Sequence, residues 1–162
     1  MLRQIQQKKA QVRGGTFAIV ASRYNARYVD AMVEAAKAEL QRALSGVRVF
    51  RVPGAYEIPL VAKRLARGAH EEPRSAFSAI ICLGVILRGE TVHAAHIGEA
   101  VSRALMEIQL AHEMPVIHEV LLLENEAQAE ARCLDPKHNR GTEAAQTALA
   151  MARALADLNT AG

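Results

Sequence analysis

The chain carries no tryptophan, only three Tyr and three Phe among 162 residues, and two cysteines. So few aromatics, with no clustered basic face, exclude the stacking surface of a nucleic-acid binder. Cys82 lies within an apolar run and Cys133 far from it, so no CxxC pair, zinc ribbon or disulfide framework can be drawn. A reducing cytoplasm is the expected setting. Long apolar runs are missing too: the longest uncharged stretch, Ser75–Leu87, falls short of the ~18 residues that cross a bilayer, and the apolar stretch near the N-terminus stops at Arg23. A soluble, unexported protein with no membrane partner is expected.

What is present is ordinary globular material, 51% hydrophobic and 23% charged, with a net charge of +3. A chain of this length buries about 70% of its unfolded surface, enough for one core without disulfides or a structural metal. Arg3, Lys8, Lys9 and Arg13 stand in the first fifteen residues, which hold no acid, so the remainder is near neutral. Residues 1–15, ending in Gly14-Gly15, are read as a flexible basic arm, and 16–162 as a single domain.

The apolar pattern alternates between two periods. Thr16–Ser22 suits a buried strand, and Val29, Met32, Val33, Ala36, Leu40 and Leu44 follow at helical spacing until Ser45-Gly46. Val47–Val52 alternates as a strand does; Pro53-Gly54 turns the chain, and Pro59 fits the first turn of a helix that ends at Gly68. Ala76–Leu83 predicts a central strand, and a helix from about His93 to Ala111 carries Ile97, Val101, Ala104, Leu105 and Ile108 on one face. Val116–Leu123 predicts the fourth strand, Asn125 with Gln128 a capping box, and a last helix runs from about Thr142 to Leu158. Four strands separated by helices require right-handed crossovers, hence a parallel sheet with helices on both faces: an α/β fold, a three-layer α/β/α sandwich. Ligands of such sheets bind beyond the carboxyl ends of the strands, so the loops after each strand are the places to look.

After the first strand stands Arg23-Tyr24-Asn25, where Tyr24 offers a platform for a flat ring or packs on a neighbouring loop, and Asn25 is placed to cap the helix. After the second come Pro53, Gly54, Ala55, Tyr56 and Glu57; the carboxylate can accept hydroxyl hydrogens or complement a helix dipole. The third loop, Gly84 to His93, has the outline of a P-loop, but Glu90 stands where the phosphate-binding lysine belongs, which argues against a nucleotide triphosphatase. What remains is a glycine-bearing turn into a helix N-terminus, able to hold one phosphate, with Thr91 as a further donor and His93 beside it for proton transfer or as a solvated residue. His93, His96 and Glu99 share a helix face, yet a single such turn is common and no metal is expected. Arg132 to Arg140 is either a solvated connection or a second oxyanion contact.

Taken in order, these loops resemble the lumazine synthase family. The resemblance runs from about Phe17 to Leu158 and rests on Arg23-Tyr24-Asn25, Val52 to Leu60, Leu83 to His93, Pro115-Val116-Ile117, Glu124-Asn125 with Gln128-Ala129, and Asn139-Arg140-Gly141 with Glu143-Ala144-Ala145. It implies a flavodoxin-like fold and a transferase of riboflavin biosynthesis. That enzyme condenses 5-amino-6-(D-ribitylamino)uracil with 3,4-dihydroxy-2-butanone 4-phosphate to 6,7-dimethyl-8-ribityllumazine, releasing phosphate and water and using no cofactor. By position, the resemblance implies that Tyr24 stacks on the pyrimidine beside Asn25, and that Ala55, Tyr56 and Glu57 line the ribityl chain. Val85, Ile86 and Leu87 offer backbone groups. Gly89, Glu90, Thr91, Arg132 and Arg140 serve the phosphate, and His93 shuttles protons. His118 and Arg132 are implied to reach a neighbouring subunit's pocket, within a homopentamer or a sixty-subunit capsid.

The chain departs from the family at His118, where Phe is common, at Ala94, where Phe or Tyr is usual, and at Arg140, commonly Lys. Glu119 and Leu122-Leu123 replace Gly and Thr. These changes leave a second expectation open, a catalytically weak homologue that binds a ribityl-pyrimidine or forms a shell.

Overall fold

The structure is a computed structural model describing residues 15–162; the expected basic arm lies, but for Gly15, outside the described residues. Four strands, β1 (Thr16–Ser22), β2 (Gly46–Val52), β3 (Ala79–Leu87) and β4 (Val116–Leu123), form one parallel sheet in the order β2-β1-β3-β4. Five α-helices connect and follow them: α1 (Ala26–Arg42), α2 (Ile58–Glu71), α3 (His93–His112), α4 (Glu126–Cys133) and α5 (Arg140–Thr160). Strand order reverses direction between β1 and β3, which places the switch point of this open sheet at their carboxyl ends.

Alternation along each strand divides the core. Phe17, Ile19, Ala21, Ile81, Leu83 and Ile117 face α1, α4 and α5, whereas Ala18, Val20, Ile80, Cys82, Val116 and Val120 face α2 and α3. Both faces of β1 and β3 are covered, so these strands read as continuous apolar runs. Each fully buried large side chain contributes about 1.5–3 kcal/mol, which makes the two layers the main source of stability. β2, at the edge, is only half buried; there Phe50 meets Phe77 edge-to-face at 6.1 Å, with the Arg48 guanidinium over both rings.

The α/β architecture and all four strands agree with the sequence reading, but several boundaries move. β3 begins later and runs on to Leu87, because Gly84 is not a turn: a Cβ there would lie 3.2 Å from Val120, 3.3 Å from Ile58 and 3.3 Å from Ser22. A strand glycine here marks close packing. Val85, Ile86 and Leu87 are thus ladder residues paired with Leu121, Leu122 and Leu123. α2 passes through Gly68 and ends before Pro73, with Glu72 at φ −132°, ψ 81°, outside the helical region that a following proline disfavours. Leu44 lies past α1, at φ 58° and 72% exposed, rather than on its buried face. α5 starts at Arg140 because Asn139 caps it, accepting from the Gly141 N–H at 2.7 Å while its amide donates to the Cys133 carbonyl at 2.6 Å.

α1 and α5 pack closely through Ala36, Ala144, Ala145 and Ala148, all fully buried, and a Cβ on Gly141 would sit 2.0 Å from the Met32 carbonyl oxygen. Two glycine substitutions therefore have opposite signs. Gly68, with none of the described residues within 4 Å of a Cβ there, is expected to gain about 0.5–1 kcal/mol on Gly68→Ala, a rise of a few degrees in Tm. Gly141→Ala gains the same helix propensity but meets backbone, so a net loss of about 2 kcal/mol or more is expected in thermal melts.

Candidate active site

The first three connections meet at the carboxyl edge of the sheet. After β1, the Arg23 N–H donates to the Val52 carbonyl at 2.8 Å and the Tyr24 N–H to the Pro53 carbonyl at 3.1 Å, tying this loop to the end of β2. Asn25 adopts the left-handed conformation, φ 56°, and its side-chain amide donates to the Val85 carbonyl at 2.7 Å. Asn25 precedes the first residue of α1 as the sequence suggests, but its side chain makes no cap; it joins β1 to β3 instead. Tyr24, 75% exposed, is left projecting from a fixed backbone. Pro53-Gly54 leads into a short 3₁₀ turn, Ala55–Glu57, which exposes Tyr56 and Glu57 while Ile58 anchors the segment in the core.

From the end of β3 the chain enters the exposed stretch 88–92, and His93 is the first residue of α3. The Thr91 hydroxyl oxygen accepts from the His93 N–H at 3.4 Å, and His93 is exposed. The first N–H groups of a helix have no intrahelical acceptor and, with the helix dipole, favour an anion. Gly89, Glu90, Thr91 and His93 are thus brought together with Tyr24, Asn25 and the 55–57 turn around the β1/β3 switch point.

His118 lies on β4, Arg132 on α4 and Arg140 at the head of α5, with α4 joined to the start of α1 by the Arg27–Glu130 ion pair at 3.2 Å. His118 pairs in register with Cys82, mid-sheet, on the α3 side. Its Nδ1 accepts from the Val120 N–H at 3.1 Å, and its Nε2 lies 2.7 Å from Ser102 Oγ, which donates in turn to the Gly98 carbonyl at 2.8 Å. This fixes the imidazole as the neutral Nε2–H form, and burial lowers its pKa, in the same direction. Such a ring cannot act as a base toward Ser102; it also covers an outward N–H of the edge strand. On the other face of β4, Glu119 shares its surroundings with Cys133 and the first turn of α5, where Arg140 Nη1 holds Glu143 Oε2 at 2.7 Å. Arg132 is half-buried near the end of α4.

Residues 14–156 match the family model described as 6,7-dimethyl-8-ribityllumazine synthase. The chain belongs to the lumazine synthase family. Among its relatives, a 6,7-dimethyl-8-ribityllumazine synthase of Stenotrophomonas maltophilia (strain R551-3) is 43% identical over 145 residues, 88% of this chain and 90% of the relative. One from Xanthomonas campestris pv. campestris (strain B100) is 41% identical over 136 residues, 82% of this chain and 84% of the relative. One from Azorhizobium caulinodans is 39% identical over 142 residues, 88% of this chain and 87% of the relative. The family match covers every loop of the carboxyl-edge cluster.

Residues that sequence reasoning left without a role in this lumazine synthase homologue are Ser102, which holds His118, and Glu119. For Glu119 a signal existed: the alternation in β4 puts its carboxyl on the same face as Ile117 and Leu121, toward the helices. Burial pushes the Glu119 carboxyl up to about 7; the Arg140 guanidinium pulls it down and the Glu143 carboxylate pushes it up. A folded-state pKa above the reference 4.5 means that stability is fully present below that value and lost as pH rises through about 7. Glu119→Gln should therefore match the wild type in thermal melts at pH 5 and exceed it at pH 8, by on the order of 3 kcal/mol. A difference independent of pH would contradict this environment for the carboxyl.

Proposed function

We propose that this protein is a transferase that condenses 5-amino-6-(D-ribitylamino)uracil with 3,4-dihydroxy-2-butanone 4-phosphate to 6,7-dimethyl-8-ribityllumazine, in riboflavin biosynthesis, at a pocket completed by a neighbouring copy of the chain. The observation that carries it is the family match across 14–156, with the motif-bearing loops gathered at one carboxyl edge. Nothing favours the weaker binding or shell-forming alternative.

In this reading Tyr24 stacks on the pyrimidine, held in place by the Asn25–Val85 bond rather than by contacts of its own ring. Ala55, Tyr56 and Glu57 line the ribityl chain, Glu57 accepting its hydroxyls. The Val85 carbonyl already accepts from Asn25, so it offers the pyrimidine less than a free carbonyl would. The phosphate sits at the N-terminus of α3. The Glu90 carboxylate carries the same sign as the phosphate, so the useful groups there are the backbone N–H groups of Gly89 and Glu90 and the Thr91 hydroxyl. His93 moves protons as the amine adds to the carbonyl and as phosphate and water depart. Orienting two substrates and excluding water supply several kcal/mol of the barrier reduction, leaving modest proton transfer to the imidazole.

His118 lies mid-strand on β4, on the α3 side and away from the switch point, which supports its serving the pocket of an adjacent copy; in this reading Arg132 and Arg140 serve that pocket too, with Arg132 gripping the phosphate. A ring of five subunits, or a larger shell built from such rings, is the assembly that fits this reading. Two buried free cysteines, Cys82 and Cys133, suit a cytoplasmic protein. Among the described residues no helix is long and apolar enough to cross a membrane.

His93→Ala tests the chemistry. Because the side chain is exposed, its melting temperature should stay within a degree or two of the wild type, while kcat for lumazine formation falls by about tenfold to a hundredfold. Absorbance of the product and release of phosphate, followed together above the uncatalysed rate, give the readout. Full activity in this variant would remove His93 from the mechanism.

A further inference from the structure

The stretch 89–92, on which the phosphate reading depends, has little of its own to hold it. Among the described residues nothing lies within 4 Å of a Cβ on Gly89, and residues 88–92 are exposed. Among the described residues, the hydrogen bonds made by 89–92 are those at the head of α3: the Thr91 hydroxyl accepts from the His93 N–H at 3.4 Å, and the Val92 carbonyl accepts from the His96 N–H at 3.2 Å. Arg88 immediately before it is anchored twice. Its N–H donates to the Leu123 carbonyl at 2.8 Å, extending the β3–β4 ladder by one bond. Its guanidinium donates from Nη1 to Glu124 Oε1 at 2.9 Å.

Glu124 is fixed in its turn. Its N–H donates to Gln128 Oε1 at 2.9 Å, and the Gln128 N–H donates to Asn125 Oδ1 at 2.9 Å, so the start of α4 is closed by a reciprocal pair of bonds. A continuous path of hydrogen bonds therefore runs from α4 through Glu124 and Arg88 to the entrance of the phosphate-facing loop. The Arg88 and Glu124 side chains are 49% and 55% exposed. Such a pair adds little to global stability. Its effect falls on the exposed, sparsely hydrogen-bonded segment it borders.

We propose that Arg88 and Glu124 are positioning residues for the phosphate site: their ion pair tethers the loop 88–92 to α4 and presets its N–H groups for the anion. This rests on the loop facing phosphate, as argued above. The competing role for Arg88, a direct cationic contact to phosphate, predicts the opposite response to one substitution. If Arg88 touched the anion, Glu124→Gln would free its charge and tighten binding; if the pair is a tether, Glu124→Gln loosens the loop and weakens binding.

The test uses the full-length protein in its native assembly, with inorganic phosphate as the probe in calorimetry and KM and kcat measured for the phosphorylated substrate. Glu124→Gln and Arg88→Ala should each raise the phosphate Kd and the KM by about threefold to fivefold, with kcat and Tm little changed, the scale of one exposed ion pair. The charge-exchanged double variant, Arg88→Glu with Glu124→Arg, should return Kd and KM to within about twofold of the wild type, as a pairwise term requires. Tighter phosphate binding in Glu124→Gln, or no change, or failure of the exchanged pair to recover, overturns the tether. A wild-type protein that binds no phosphate overturns the phosphate reading of the loop and the tether with it, whereas wild-type binding with an unaffected Glu124→Gln overturns the tether alone.

Discussion

The candidate site hangs from one hydrogen bond, Asn25 Nδ2 to the Val85 carbonyl at 2.7 Å. A non-glycine residue at φ 56° is tolerated most easily by Asn or Asp, and here the strained residue is also the one whose amide spans from the end of β1 to β3. With Asn25 fixed, Tyr24 and Arg23 reach the Pro53 and Val52 carbonyls through their own N–H groups, so the ends of β1, β2 and β3 become one rigid rim. Flexible loops would have to lose backbone entropy, roughly 1–2 kcal/mol per residue, each time a substrate bound. A rim already ordered by its own hydrogen bonds does not.

Below that rim the sheet explains why the glycine and the small residues sit where they do. Gly84 lets Val120, Ile58 and Ser22 close over β3, and Gly141 lets α5 lie against the backbone of α1. Each omits a side chain where layers meet most tightly. α5 is thereby set beside β4, and with it Arg140, Glu143 and the half-buried Glu119. The two sides of β4 thus differ in character. One holds a neutral histidine locked by Val120 and Ser102, the other a carboxylate whose ionisation is resisted by burial and by Glu143.

Most of the fold was legible because it follows from local pattern. The apolar runs of β1 and β4, the alternation in β2, and the Asn125–Gln128 cap are each written in contiguous residues, and their boundaries match closely. Two of the misplacements share one cause: a residue whose usual meaning is punctuation was used for packing or simply tolerated. Gly84 serves as a packing contact inside β3, and Gly68 stays within α2 at a modest helix-propensity cost. The residue types of the site could be read from the loops, but not the bonds that hold them. Asn25 and Val85 are 60 positions apart and Arg88 and Glu124 are 36 apart, and no periodicity reports contacts of that range.

The central claim is that one pocket draws His93 from one chain and Arg132 from the next. Subunit complementation tests it most directly. His93→Ala and Arg132→Ala proteins, each first measured alone, are unfolded, mixed in equal amounts and refolded together, and lumazine formation is measured against both. If the two residues come from different copies, random mixing leaves about a quarter of the pockets with both intact, and about a quarter of wild-type activity returns. If both residues serve the pocket of their own chain, every pocket carries one defect and the mixture stays as inactive as its components, which would contradict the account.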